Sequence, residues 1–150
     1  MLTKNYLSRG GSMFAALLAA AVSLQAHAAD GPLPPERQAG DASFVSGGIG
    51  DGEAQRFEAA AAQYPLTVRL FESAGQRDEY TADALVKITD AKGRTVLDEK
   101  SDGPFMLVRL PAGDYRVSAS LNGRSLAEHA VHVTHSGHAK TTFVFPRNTG

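Results

Sequence analysis

Four histidines stand at every third position near the end of the 150-residue chain, at His129, His132, His135 and His138. On a helix, such a series would place metal-binding imidazoles along one face. The β-branched residues between them favour a strand, in which members of a three-residue series point to opposite faces. His129 and His135 share a face of that strand but lie roughly 20 Å apart, at about 3.3 Å per residue. We therefore expect no shared metal site along the strand.

His135 and His138 flank a Ser136-Gly137 turn and are the one pair that could converge on a metal ion. Two imidazoles leave a zinc site incomplete unless a carboxylate joins them, because such sites use three or four protein ligands. Weak metal binding through this pair stays open as an alternative. The preferred interpretation is that both histidines flank a turn and that the protein holds no metal and no other cofactor.

A glycine-rich segment at 47–52 precedes a predicted helix, and bare backbone amides in that position can bind phosphate. The segment lacks the Lys-Ser/Thr pair of a phosphate loop and does not follow the G-x-G-x-x-G order. Asp51 and Glu53 would also repel an anion. We interpret the segment as a structural turn in which Asp51 caps the helix.

The sequence contains little else that could support catalysis. It has no Cys, and none of its serines lies in a G-x-S-x-G motif. Its net charge of −1 provides no basic surface for a nucleic acid. We therefore assign no catalytic or cofactor-binding residue. The carboxylates at predicted loop positions are interpreted as solvated surface charges: Asp78, Glu79, Asp98, Glu99 and Asp102.

Residues 1–28 predict a signal peptide. Lys4 and Arg9 precede an apolar run at 13–24, and a small-residue site then places cleavage between Ala28 and Ala29. The run is shorter than the roughly 20 apolar residues that a membrane span needs. The absence of Cys and of N-x-Ser/Thr favours a bacterial periplasm over a eukaryotic secretory route. We expect a periplasmic mature protein without a membrane span.

The segment at 29–43 contains three prolines and almost no apolar residues, which predicts a flexible lead-in. A short amphipathic helix is predicted at 52–64, and Pro65 ends it. Because its apolar stripe is mostly alanine, we expect this helix to lie against one end or edge of a larger β-structure. The stripe consists of Ala54, Phe57, Ala61 and Tyr64.

The rest of the chain predicts short strands separated by turns. Alternation is clearest at 115–121, and the apolar run at 105–110 predicts a strand buried on both faces. Turn signals recur about every eight to twelve residues, which is typical of a Greek-key β-sandwich of seven to eight strands. The predicted strands are 44–50, 66–72, 84–88, 95–99, 105–110, 115–121, 127–134 and 141–145.

The last two predicted strands are expected to pair as a hairpin through a three-residue loop at 135–137. An odd loop length places Val131, Val133, Phe143 and Phe145 on one face of the pair. A two-residue loop would expose half of these side chains.

Two stretches carry a resemblance to a known family. The segments 101–105 (SDGPF) and 110–117 (LPAGDYRV) resemble the carboxypeptidase regulatory-like domain, a transthyretin-like (prealbumin-like) sandwich. The segments 44–50 and 80–83 are similar to those of small exported proteobacterial proteins built on that sandwich. The likeness covers about 44–146 and implies a domain of that fold without implying a reaction.

These observations predict an exported, periplasmic, non-catalytic module that binds a protein or envelope component of unknown identity. The alternative is a weak histidine-based metal-binding protein that uses His135 and His138. A third hypothesis is an enzyme of the prealbumin-like class.

We expect export to remove residues 1–28, because Ala26 and Ala28 provide the small side chains that signal peptidase requires. The intact mass of the protein isolated from the periplasm tests this. A species that still begins at Met1, or one that stays in the membrane fraction, would contradict the prediction.

Overall fold

Two β-sheets face each other across a shared apolar core in residues 31–149, the part of the chain that the computed structural model describes. The predicted signal peptide and its cleavage site at Ala28 and Ala29 lie outside the described residues. The protein is a mainly β, two-sheet sandwich with one short helix, as the sequence predicts. None of the helices in residues 31–149 has the length and apolar character needed to cross a bilayer.

The described residues form eleven strands, three of which contain only two or three residues. The predicted number of seven to eight omits these short strands. The strands are β1 (Arg37–Ala39), β2 (Ala42–Gly47), β3 (Leu66–Ser73), β4 (Asp78–Tyr80), β5 (Leu85–Asp90), β6 (Thr95–Lys100), β7 (Phe105–Arg109), β8 (Gly113–Leu121), β9 (Arg124–Ser125), β10 (His129–Val133) and β11 (Ala139–Phe145).

Sheet A has the strand order β1-β2-β7-β3-β11, and β4 also pairs with β3. Its pairs are antiparallel except for β3 and β11, which run parallel. Sheet B has the order β10-β8-β5-β6, with β9 on β8, and is antiparallel throughout. The predicted Asn-Gly hairpin joins β8 to β9, where Asn122 and Gly123 have φ angles of 47° and 80°. Positive φ at both positions is typical of a type I′ turn.

The core lies between the inner faces of the two sheets. In β8, Tyr115, Val117, Ala119 and Leu121 are buried, which confirms the predicted alternation. Their partners across the core are mainly the inward residues of β3, β7 and β11. The facing residues of sheet A include Leu66, Val68, Leu70, Met106, Val108, Phe143 and Phe145.

The helix α1 (Glu53–Ala60) continues into a 3-10 turn (Ala61–Gln63) and packs on the outer face of sheet A over β2 and β7. Phe57 is fully buried and stacks on Phe105, with ring centroids 5.8 Å apart. The predicted apolar stripe is confirmed, because Tyr64 is also buried and Ala54 and Ala61 pack against the same cluster. The helix thus lies on one half of a sheet face and not at the sheet's end. It buries the second face of β7, as predicted.

The start of α1 differs from the prediction that Asp51 caps it. Gly52 occupies the cap position with φ 71°, a left-handed conformation that favours glycine, so no side chain caps the helix at this position. Glu53 Oε2 instead accepts a hydrogen bond from the Gly50 amide at 3.0 Å. The glycine-rich segment is otherwise a structural turn, since Gly48 has φ 107° and a Cβ there would come within 2.5 Å of the Phe105 ring.

The predicted flexible lead-in over 29–43 is wrong for its second half. Residues 37–39 form β1, and β2 begins at Ala42, which is fully buried. The sandwich therefore begins at β1 and not at residue 44. The sequence shows no alternation here, because β1 is a polar edge strand held by backbone pairing with β2. Arg37 also forms an ion pair with Asp102 and lies 4.6 Å from the centroid of the Phe44 ring.

The predicted hairpin between the last two strands is also wrong. β10 pairs with β8 in sheet B, whereas β11 crosses to sheet A and pairs with β3. The parity argument still places the apolar residues inward, because Val133, Phe143 and Phe145 are buried in one core and Val131 packs against it. Two facing sheets satisfy the same burial requirement as one hairpin, so alternation alone cannot distinguish them.

We expect Tyr115→Ala to lower the free energy of unfolding by about 3 kcal/mol, because it empties a buried aromatic position. Tyr115→Phe should cost about 1 kcal/mol, since only the 2.7 Å hydrogen bond from the hydroxyl to the Pro111 carbonyl is lost. Arg116→Ala, at an exposed position, should change stability little. Chemical denaturation measures all three. A larger effect for Arg116 would mean that β8 faces the other way.

Candidate binding site

The four histidines take separate structural positions and form no single stripe. His129 connects the two sheets, because its Nδ1 lies 2.6 Å from Thr141 Oγ1 and its ring stacks on Phe143 at 4.2 Å between centroids. His132 pairs with Asp114 on the exposed side of sheet B, at 2.7 Å from Nδ1 to the carboxylate. These two histidines therefore stabilise the strand arrangement.

His135 and His138 lie together on the loop between β10 and β11, where both line a cleft of about 390 Å³. We call this the loop cleft; its other walls are formed by the end of the 3-10 turn with Tyr64 and by the end of β7, at Arg109, with the connection to β8. The residues that the structure describes include no group of three or more His, Cys, Asp or Glu side chains able to hold a metal ion.

Arg109 in the loop cleft is held by two hydrogen bonds and a ring contact. Its Nε donates to Glu36 Oε1 and its Nη1 to the Gln63 carbonyl, each at 3.0 Å. The guanidinium also lies 4.1 Å from the centroid of the Tyr64 ring. An anion that approached along Nε or Nη1 would have to displace Glu36 or the Gln63 carbonyl.

Glu36 is the acceptor at the centre of this network. It receives hydrogen bonds from the Tyr64 hydroxyl at 2.7 Å, from Arg109, and from the Ser43 hydroxyl at 3.0 Å. The bond from Tyr64, followed by those from Arg109 and Ser43, lowers the pKa of Glu36 below its ordinary value of 4.5, and partial burial opposes the shift. Burial and then the neighbouring carboxylate raise the pKa of Tyr64. The network fastens the segment before β1 to the sandwich.

A second depression lies on the outer face of sheet A, where α1 ends and leaves the strands uncovered. It has a volume of about 300 Å³, and we call it the step pocket. Glu58 and Ala61 of the helical layer form its wall. Its remaining lining comes from the sheet: Thr67, Arg69, Phe105 and Lys140.

Strand register explains this composition. Outward residues of β7, β3 and β11 form rows across the sheet, with Leu107 beside Thr67 and Thr67 beside Lys140. The helix covers the β7 end of each row with apolar contacts. On β3, Thr67 is buried, whereas Arg69 and Phe71 are partly exposed; the outward residues of β11, including Lys140, are exposed. The pocket is therefore the boundary between a covered and an uncovered half of the same face.

Arg69 is the central side chain of the step pocket. Its Nη2 lies 3.3 Å from Glu58 Oε1, and the Tyr80 hydroxyl lies 3.3 Å from the same oxygen. Both contacts are longer than the about 2.7 to 2.9 Å of a strong charge-assisted bond. Arg69 Nε is buried and has no hydrogen-bond partner among the described residues. Because Nε is enclosed, an external ligand would have to meet this partly exposed guanidinium through its Nη groups.

Aromatic rings surround the Arg69 guanidinium. It lies 5.2 Å from the centroid of the Phe71 ring and 5.7 Å from that of Phe105. Tyr80 stacks on Phe71 at 5.1 Å and lies 5.4 Å from Phe105, yet it remains 46% exposed. This arrangement fixes the cation over apolar surface, as in many sites that recognise a charged group next to an apolar one.

The sequence-based reasoning did not identify these residues as a site. Arg69 and Phe71 lie at the outward positions of a strand that alternation predicted correctly, but outward positions are normally interpreted as solvent-facing. Tyr80 lies in β4, which was not predicted. The available signal was an arginine and a phenylalanine on the polar side of a strand, where small polar residues are commoner. The predicted surface carboxylates Asp78, Glu79, Asp98, Glu99 and Asp102 do not line this pocket.

These features define a β-sandwich with one partly covered sheet face. No family model matches the chain, and no curated protein matches it. Sea bream transthyretin, solved in complex with thyroxine, matches at 18% identity with a TM-score of 0.41, over 54% of this chain and 86% of that one. The minor pilin of Streptococcus agalactiae matches at 17% identity with a TM-score of 0.37, over 54% of this chain and 42% of the pilin. Both likenesses are distant, and the sandwich assignment rests on the chain's own strand pairing and core.

The lowered pKa of Glu36 predicts an acid-dependent loss of stability. Because the folded state favours the charged carboxylate, its contribution is present above the ordinary pKa and is lost as the pH falls through the lowered folded value. We expect Glu36→Gln to be less stable than the wild type at pH 7, with the difference shrinking as the pH falls below the ordinary value of 4.5. A series of urea denaturations from pH 7 downward measures this, with Asp98→Asn as the control. A difference that is independent of pH would contradict the assignment.

Proposed function

We propose that the protein is an exported, non-catalytic binding module whose contact surface is the uncovered half of the outer face of sheet A. One observation carries this proposal: the step pocket presents a partly exposed guanidinium that lies beside aromatic rings and makes only a long contact, 3.3 Å, with Glu58. Arginine and exposed tyrosine are residues that dominate binding energy at protein interfaces.

The placement of the ionisable groups supports a binding role over a catalytic one. Asp102 is paired with Arg37, and Glu79 lies 3.9 Å from Arg77, so these carboxylates belong to surface ion pairs. Arg109 and Glu36 are committed to each other. The step pocket contains two cations, one aromatic ring and one carboxylate, which together suit recognition of a charged group.

Export to the periplasm and membership of the carboxypeptidase regulatory-like group form part of this proposal. They are supported by the signal-peptide pattern at 1–28 and by the turn motifs at 101–105 and 110–117. In this scheme the partner is a protein or another envelope component, and recognition requires no cofactor.

A photo-reactive residue tests the surface directly in cells. With p-benzoyl-phenylalanine at position 80, irradiation of cells that export the protein should give a discrete adduct, because Tyr80 is exposed beside the step pocket. The same residue at Lys87, which lies on an exposed position of sheet B, is the matched control. Arg69→Gln should reduce the adduct at position 80.

Equal labelling at positions 80 and 87, or no adduct at position 80, would contradict the proposed surface. Thermal unfolding of each purified variant verifies that it is folded before labelling is compared.

A further inference from the structure

The charges at the step pocket are unbalanced. Two cations, Arg69 and Lys140, line it together with one carboxylate, Glu58. Lys140 is exposed and forms no ion pair within residues 31–149. The pocket is therefore locally positive, although the whole chain carries a net charge of −1. A ligand group that complements it must be anionic.

Glu58 is a weakly held occupant of the carboxylate position. Its side chain is 49% exposed, whereas the Arg69 side chain is 26% exposed. A single oxygen, Oε1, meets both Arg69 and Tyr80 at 3.3 Å, so the carboxylate does not make the two parallel bonds of a bidentate pair. An external carboxylate could make shorter contacts, and it could also reach Lys140.

The size of the pocket and its surroundings indicate how that carboxylate is presented. A volume of about 300 Å³ is at the lower limit of small-molecule sites, which suits one inserted side chain better than an entire ligand. Next to the pocket, Tyr80 and Val144 are exposed on the same face of the sheet, at 46% and 39%. Phe71 lies beside Tyr80. A partner would therefore contact an apolar strip on one side of its carboxylate.

We propose that the step pocket binds an acidic side chain of a polypeptide partner, with neighbouring apolar residues of that partner packing on Phe71, Tyr80 and Val144. Glu58 occupies the carboxylate position in the unbound protein and is displaced on binding. This inference rests on the proposed function, since it specifies the partner chemistry of the same surface. The planar fork of Arg69 matches the geometry of a carboxylate, and Lys140 adds a point charge.

If Glu58 is displaced on binding, substitutions at Lys140 and Glu58 should change the affinity for an acidic peptide in opposite directions. The probe is an acetylated, amidated peptide in which three Glu residues alternate with Leu, and binding to the purified exported protein is followed by NMR. We expect Lys140→Gln to weaken binding about two- to fivefold, as the loss of one exposed ion pair does. Glu58→Gln should tighten binding by a similar factor, because the internal competitor is removed. Lys87→Gln, on sheet B, should leave binding unchanged.

Three further arms complete the test. A peptide with Gln in place of Glu should bind at least about fivefold more weakly. Acetate alone should bind far more weakly than the peptide, because it lacks the apolar contacts; equal affinity would overturn the polypeptide assignment. Inorganic phosphate that competes as well as the peptide would overturn the preference for a carboxylate.

A Glu58→Gln variant that binds the peptide no better than the wild type would overturn the displacement. If Glu58 served only to hold Arg69 in place, Glu58→Gln would weaken peptide binding. The expected gain in affinity therefore distinguishes displacement from that structural role. If adducts form at position 80 but the peptide does not bind, the carboxylate inference fails while the proposed contact surface stands. If peptide binding maps to the loop cleft, both the site and the inference are wrong.

Discussion

The burial of β7 on both faces is the constraint on which the rest of the structure depends. Met106 and Val108 face the core between the sheets, while Phe105 and Leu107 face outward and are equally buried. Exposing two such side chains would cost about 3 to 6 kcal/mol, at 1.5 to 3 each, so the outer face needs a cover. The short helix supplies it, and its alanine-rich stripe allows close approach to the sheet. Because α1 has only eight residues, it covers β2 and β7, and the outer faces of β3 beyond Thr67 and of β11 stay partly or fully exposed.

The second organising feature is the parallel pairing of β11 with β3. Parallel neighbours need a long connection, and here the whole chain between Ser73 and Ala139, including every strand of sheet B, separates them. The final crossing from β10 to β11 is stabilised by His129, which contacts Thr141 and Phe143 on the other sheet. The same pairing brings Lys140 next to Thr67. The composition of the step pocket is thus a consequence of topology and not of any local sequence motif.

This dependence on topology explains what the sequence could and could not predict. The alternation in β8, the two-sided burial of β7 and the helical stripe follow from local periodicity, and all three are confirmed. The strand β1 is a short polar strand in a local hairpin with β2 and shows no alternation. The position of β11 depends on its long-range pairing with β3, which leaves no signature in the local sequence. The step pocket was not predicted because its residues come from different strands. Lys140 lies far from Arg69 in the chain and reaches it through the pairing of β11 with β3, and Tyr80 belongs to the short strand β4, which local alternation does not reveal.

Two arginines of this fold illustrate why residue type alone does not locate a site. Arg109 and Arg69 both lie beside an aromatic ring and a glutamate, and both line a surface cleft. Arg109 donates to Glu36 and to a backbone carbonyl at 3.0 Å, so its bonds are already close to optimal length and help to hold the segment before β1. Arg69 meets its glutamate at 3.3 Å and has a buried Nε without a partner among the described residues. The difference arises because three hydrogen-bond donors hold Glu36 in place. Glu58 is partly exposed, and its position is determined by how the opposite side of α1 packs on the sheet. The position of Glu58 is determined by helix packing and not by its contact with Arg69, so Arg69 can still bind an external carboxylate. This is the physical distinction between the two clefts.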